Sequence, residues 1–180
     1  MMFRVISRVI QLGATDRQPQ QLDTTDFPSL LMQARATFVT LHIAGQLRGC
    51  VGVLEPVRPL MEDLAANAFA AAFRDTRFTP VRAEEVDQLT KHISILTPAT
   101  VLHVQSNDEL LAAIRPNFDG LILEDGVHRA TFLPAVWTSL PAAEDFVRQL
   151  KRKAGLDDNH WSPRMECRIY QAIESPDDLS

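Results

Sequence analysis

The sequence predicts an α+β fold. Three observations carry that reading. Some stretches place apolar residues at helical spacing, and others alternate with a period of two. The strand-like stretches return on themselves through short glycine-containing turns, with few signs of a repeated strand–helix–strand crossover.

Taken in order, Met1-Met2-Phe3-Arg4-Val5-Ile6-Ser7-Arg8-Val9-Ile10 spaces its arginines among apolar residues. It reads as an amphipathic helix, since a signal peptide would hold an uninterrupted apolar core. Ala14 to Ser29 is polar, carries Pro19 and Pro28, and reads as a surface connection. Thr37-Phe38-Val39-Thr40-Leu41-His42-Ile43 is a strand by its β-branched and aromatic content. After a turn at Ala44-Gly45-Gln46, Leu47 to Leu54 returns as its hairpin partner. Pro59 suits the first position of a helix, and Glu62 and Asp63 suit its positive end. Leu60, Leu64, Ala68 and Ala71 form that helix's buried stripe. Asp75-Thr76-Arg77-Phe78-Thr79-Pro80 is turn-like, with an Asp–Arg surface pair as its ordinary reading, and Ala83 to Leu89 reads as a short acidic helix. Lys91 to Thr97 alternates as a strand that Pro98 ends. Asn107 to Ile114 is a short helix. Phe118 to Gly126 and His128 to Leu133 form a second hairpin. Ala142 to Ala154 is a helix stopped by Gly155, and Met165 to Ile173 is a last strand holding Cys167.

Bulk properties narrow the function classes. With 180 residues the chain makes one large domain or two small lobes. The 46% hydrophobic and 23% charged content is that of a soluble globular protein. A net charge of -5 weighs against nucleic acid and anionic membrane as partners. No apolar run is long enough for a transmembrane helix. Two cysteines make no disulfide framework and suit a reducing compartment, so the expected location is the cytoplasm. There is no glycine-rich phosphate loop, no Gly-x-Ser-x-Gly elbow, no zinc-protease histidine pair and no three-cysteine cluster. No metal or cofactor is implied.

Chemistry concentrates in Leu47-Arg48-Gly49-Cys50-Val51-Gly52. A thiol reacts as its thiolate, and a neighbouring guanidinium favours that form. Strand alternation puts Arg48, Cys50 and Gly52 on one face and Gly49, Val51 and Val53 on the other. The alternative reading is a buried cysteine that merely packs as a small apolar side chain. A nucleophilic cysteine also needs a base or a positive field. His42 and His92 lie on strands and are the candidate bases, although an ordinary edge or surface histidine is the commoner reading for each; His128, near a turn, is a weaker one.

These segments resemble the AMMECR family, also known as protein A of the AmmeMemoRadiSam system. Leu47-Arg48-Gly49-Cys50-Val51-Gly52 is similar to its LRGCIG hallmark, with Val51 in place of isoleucine. Phe38-Val39-Thr40-Leu41, Leu54-Glu55-Pro56, Arg58-Pro59-Leu60, Asp75-x-Arg77-Phe78-x-Pro80 and Ile93-Ser94-Ile95-Leu96-Thr97-Pro98 resemble family segments in the same order. So do Asp119-Gly120-Leu121-Ile122-Leu123 and Thr131-Phe132-Leu133-Pro134-x-Val136-Trp137. The likeness spans roughly residues 36–173. One departure is His92, where many relatives carry a carboxylate. The resemblance implies one domain of two unequal lobes, each an antiparallel sheet with helices, with the motif facing a cleft between them. It implies a shared modification pathway with a Memo-like protein and a radical-SAM protein, any iron–sulfur cluster belonging to the latter. It supplies no established reaction.

Two functions are therefore expected. In one, the protein is a cysteine-dependent enzyme or carrier. Cys50 is the nucleophile or attachment point, and Arg48 lowers its pKa or holds an anionic group. Gly49 and Gly52 give backbone clearance, and Asp75 and Arg77 line the substrate site. In the other, it is a non-catalytic adaptor or peptide-binding module and Cys50 is structural.

Overall fold

Ala44 and Gly45 both adopt positive φ, 49° and 76°, the backbone that a tight two-residue hairpin turn requires. They join strand β1 (Thr37–Ile43) to strand β2 (Gln46–Gly52). The computed structural model describes residues 1–19, 22–23 and 27–176. These residues divide into two compact units, one running from Met1 to Leu96 and taking up the chain again at Ile173, the other comprising Thr97–Ala172.

In the first unit β1 pairs antiparallel with β2 on one side and with β3 (Leu89–Leu96) on the other. With β8 (Ala172–Pro176) they make a four-stranded sheet ordered β2-β1-β3-β8. Val39, Leu41 and Ile93 are fully buried on one face. Helix α2 (Leu60–Phe73) packs against β1 and β2, and α1 (Met2–Asp16) packs on α2. Ile6, Val9 and Ile10 of α1 and Met61, Leu64 and Ala68 of α2 complete the core. The alanine-rich stripe of α2 lets it lie close to the sheet, as its spacing predicts.

A buried polar cluster ties α2 to the start of β1. Asp63 is fully buried, and its Oδ2 accepts from the backbone N–H of Thr37 (3.0 Å), the Thr37 hydroxyl (2.6 Å) and Asn67 Nδ2 (2.9 Å). Its Oδ1 accepts from Arg58 Nε at 3.0 Å. Asp63 thus does more than complement the helix dipole, since it closes a charged network within the core.

The second unit holds β4 (Thr100–Leu102), α3 (Asn107–Ala113), β5 (Gly120–Asp125), β6 (His128–Phe132), α4 (Ala143–Lys153) and β7 (Glu166–Tyr170). Its antiparallel sheet is ordered β4-β7-β5-β6. The Trp137 ring stacks on Phe146 at 3.7 Å, beside Leu121, Leu150 and Cys167 in the core. The α+β class is therefore realised as two four-stranded sheets, each with its own helices.

Several elements differ from their sequence-based bounds. The last strand is two strands in different sheets, because Gln171 leaves the ladder: its N–H donates to Thr97 Oγ1 and its carbonyl accepts from the Thr97 N–H, both at 2.9 Å. Helix α1 continues to Asp16, into the stretch read as a polar connection, and stops where Arg17 turns left-handed (φ 56°). Residues 20, 21 and 24–26 of that connection lie outside the described residues. Pro59 caps α2 from outside instead of opening it, and Ala83–Gln88 is a 3-10 helix. Strand β4 is only three residues long, too short for alternation to reveal. Among the described residues no helix is long and apolar enough to cross a membrane.

Removing the Asp63 carboxylate would leave the buried N–H and hydroxyl of Thr37 without their acceptor, while Asn67 keeps the Thr37 oxygens and Arg58 reaches solvent. Asp63→Ala is expected to lower stability by about 2 kcal/mol, read as a reduced urea midpoint with an unchanged slope.

Candidate functional site

Hydrogen-bond parity along β2 decides what surrounds Cys50. The backbone N–H of Cys50 donates to Asp75 Oδ2 (2.9 Å), and its carbonyl accepts from Arg77 Nη2 (3.2 Å). Both groups therefore point away from β1, so Cys50 and its opposite residue Thr40 form a non-hydrogen-bonded pair, the closer of the two antiparallel pair types. That proximity brings the Thr40 hydroxyl to 3.3 Å from Cys50 Sγ, where it donates to the sulfur.

Asp75 and Arg77 are locked to each other. Arg77 Nε donates to Oδ1 at 2.9 Å and Nη2 to Oδ2 at 2.6 Å. The Asp75 side chain is 6% exposed, against 56% for Arg77. Hydrogen bonding from Arg77, helped by the Cys50 N–H and opposed by burial, holds the Asp75 carboxyl well below the usual carboxylate range. The ordinary reading of an Asp–Arg surface pair is thus replaced by a clamp on the outward edge of β2.

The same segment reaches Arg48. Its Nη1 donates to the Thr79 carbonyl at 2.7 Å, and its Nε and Nη2 make a fork on Glu85 at 3.0 Å each. Residues 75–79 therefore run as a strap along the open edge of the sheet, bonded at positions 48 and 50. A covered edge cannot template pairing with another chain. The Arg48 fork, with further help from the Arg82 N–H, pulls the Glu85 carboxyl down to about 2 against burial.

Simple alternation makes Arg48 the cation of the thiol, and the structure corrects this. The register slips between Leu41 and His42, so that Leu47 faces His42 while Gly49 faces Leu41, and Arg48 has no opposite residue. Such a bulge re-aims the side chain it carries, here to Glu85. The guanidinium held at the Cys50 residue is that of Arg77, and it bonds to the carbonyl, not to the sulfur.

The glycines are corrected in the same way. A Cβ at Gly49 would lie 2.1 Å from the Ala71 carbonyl oxygen of α2. At Gly52 it would lie 2.2 Å from the Phe38 ring and 2.4 Å from the Thr37 carbonyl oxygen. Both clear space for the protein's own elements and not for a ligand.

Past the bulge, the alternation itself holds. Gly49 and Val51 face α2 and the core, and Cys50 lies on the other face of the sheet with Thr40. His92 of β3 is opposite Thr40 in the register, so Cys50, Thr40 and His92 form one row across three strands. The His42 ring meets His92 edge-on, with centroids 5.2 Å apart. Burial, followed by the proximity of His92, lowers the pKa of His42, and its Nδ1 is buried without a hydrogen-bond partner. The other thiol is unlike Cys50: Cys167 is 1% exposed, and burial pushes its pKa up to about 11. His128 and His160 are engaged in the second unit, with the Ala154 carbonyl and Asp125. Among the described residues no three His, Cys, Asp or Glu side chains are grouped to hold a metal.

Sequence reasoning missed Thr40 and Glu85. Thr40 was readable only with the bulge in hand, because an unbroken two-residue hairpin would set it opposite Gly49. Glu85 lies 37 residues from Arg48, and only its place in the acidic stretch of residues 83–89 marked it.

Fold and site together define an α+β protein of two four-stranded sheets, with one thiol on the face of a sheet whose edge is strapped by an Asp–Arg segment. The chain belongs to the AMMECR1 family, whose model matches residues 3–175. A protein of Methanothermobacter thermautotrophicus is 43% identical over 148 residues, covering 81% of this chain and 76% of the relative. Protein MJ0810 of Methanocaldococcus jannaschii is 37% identical over 161 residues, covering 82% and 78%. The crystal structure of PH0010 from Pyrococcus horikoshii is similar with a TM-score of 0.85 and 29% identity, covering 96% of this chain and 88% of that one.

Two predictions follow from the strap and the glycine contact. Gly49→Ala sets a methyl group against backbone and is expected to cost about 3 kcal/mol or more, measured by urea unfolding. Glu85 has a depressed carboxyl pKa, so its pairing with Arg48 stabilises the fold fully above the unfolded pKa of 4.5 and is lost as pH falls toward 2. Glu85→Gln should lower the urea midpoint at pH 7 and flatten its fall between pH 4.5 and 2 relative to the parent.

Proposed function

We propose that the protein works through the Cys50 thiol, as a cysteine-dependent enzyme or carrier. The observation that carries this reading is the Thr40 hydroxyl donating to Cys50 Sγ at 3.3 Å on the sheet face away from the core. A donor aimed at sulfur sits where negative charge develops when the thiol reacts. The clamp by Asp75 and Arg77 fixes the backbone on both sides of the sulfur, so the nucleophile is pre-positioned. Asp75 and Arg77 therefore act as positioning residues, and the exposed part of Arg77 is the cation nearest an anionic group arriving at Cys50.

In this reading Cys50 forms a covalent bond with a protein, peptide or small substrate within a modification pathway. A Memo-like protein and a radical-SAM protein are its expected partners. One observation favours the second reading, an adaptor in which Cys50 is structural. The bonds of Asp75 and Arg77 go to the Cys50 backbone and would survive replacement of the sulfur.

Iodoacetamide labelling with peptide mass spectrometry separates the two. The expected result is fast labelling of Cys50 in the folded protein, rising with pH, while Cys167 labels only after denaturation. Equal and slow labelling of both thiols, seen only in denaturant, would refute the thiol-dependent reading. So would a Cys50→Ser protein that retains full cellular function.

A further inference from the structure

We infer that His92 is the proton acceptor for Cys50, acting through the hydroxyl of Thr40, with His42 as the residue that sets its state. The inference rests on the thiol-dependent reading and adds residues to the same site. It stands on register and contact. Thr40 is opposite Cys50 on one side and opposite His92 on the other.

The parity argument applies to both sides of β1. Because Cys50 turns its backbone groups outward, Thr40 turns its own toward β3, and Thr40–His92 is the hydrogen-bonded pair, with Cα atoms about 5.5 Å apart. Side chains of directly opposite residues stand on one face of the sheet, within reach of one another. The threonine hydroxyl, already 3.3 Å from the sulfur, belongs to the residue that lies between Cys50 and His92 in the row. The one O–H of Thr40 points to a single neighbour at a time, toward His92 while the sulfur is a thiol and toward Sγ, as in the structure, once the proton has left it.

The transfer balances without any further reagent. The S–H bond of Cys50 breaks, and its proton passes to Thr40 Oγ1. The hydroxyl proton of Thr40 passes to a ring nitrogen of His92. The products are a thiolate, an unchanged hydroxyl and an imidazolium. After a substrate has bonded to sulfur, the imidazolium holds the proton that a leaving group or a departing thiolate takes back.

His42 borders His92 and bears on which ring accepts the proton. The two rings touch, and two adjacent positive charges disfavour each other. His42 is the more enclosed of the two, with a buried unpartnered Nδ1, and burial followed by the proximity of His92 lowers its pKa. The other titratable or charged groups around this face are placed as follows. Glu174 of β8 accepts from the Ser94 hydroxyl at 2.7 Å, and Asp75 and Arg77 lie beyond the β2 edge, bound to each other. Thr90, paired with His42, is neutral, and Lys91 is turned to the buried face. None of these stands between Cys50 and His92 in the row.

The test is the pH profile of Cys50 alkylation by iodoacetamide, from pH 5 to 10, in the full chain. The parent should show an inflection in the histidine range. His92→Gln should remove it and slow labelling at pH 7 by about three- to tenfold. Thr40→Val should do the same, and the double variant should be no slower than either alone. Cys167 must stay unlabelled in each, which certifies the fold. A His92→Gln profile that superimposes on the parent would overturn the inference. A His92→Gln effect of full size in the Thr40→Val background would also overturn it, because the link would then bypass the hydroxyl. If Cys50 labels faster than Cys167 yet His92→Gln changes nothing, this inference alone fails. If Cys50 does not label in the folded protein, the thiol-dependent reading fails with it.

Discussion

The ion pair between Asp75 and Arg77 grips the Cys50 residue by both of its backbone hydrogen-bonding groups, and the site around the thiol depends on that grip. An edge strand normally offers those groups to water or to another chain. Here a buried carboxylate accepts from the N–H and a guanidinium donates to the carbonyl, so two side chains take the part of a missing strand. With the outward bonds satisfied, Cys50 is held in the close pair type opposite Thr40, and sulfur meets hydroxyl. The polar surroundings of the thiol follow from backbone parity.

The rest of the first unit serves the same geometry. Asp75 comes one residue after the C-cap of α2, so its position is fixed by where that helix ends. The helix in turn is seated by Gly49, whose missing side chain lets the Ala71 carbonyl approach the strand, and by Asp63, which ties the first turn to β1. Arg48, swung out by the bulge, anchors the far end of the strap through Thr79 and Glu85. Motif and strap are thus one device. The hexapeptide supplies a strand with no bulk on one side and a thiol on the other, and residues 75–79 hold it in place.

Local pattern was enough for most of the architecture, because hairpins and amphipathic helices are written within a few consecutive residues. The first hairpin, α2, the second hairpin and α4 all follow from spacing and turn residues. The hexapeptide and the segment of Asp75 and Arg77 also stand out in the sequence, but the contact between them does not. The assignments that failed depend on contacts between distant residues. Arg48 was given to the thiol because the bulge that redirects it shows only in the cross-strand register. Gly49 and Gly52 were given to a ligand because Ala71 and Phe38, which need the space, come together with them only in the fold. Local pattern keeps the last strand whole, because Thr97, which draws Gln171 out of the ladder, lies 74 residues away.

The central claim, that the strap completes the edge of the sheet at Cys50, is tested most directly by amide hydrogen exchange at that residue. The account predicts that the Cys50 N–H is strongly protected in the parent although it faces away from β1. In Asp75→Ala it should exchange at least about a hundredfold faster, while the Val51 amide, which faces β1, keeps its protection. A Cys50 amide that exchanges freely in the parent, or one whose protection is unchanged in Asp75→Ala, would contradict it.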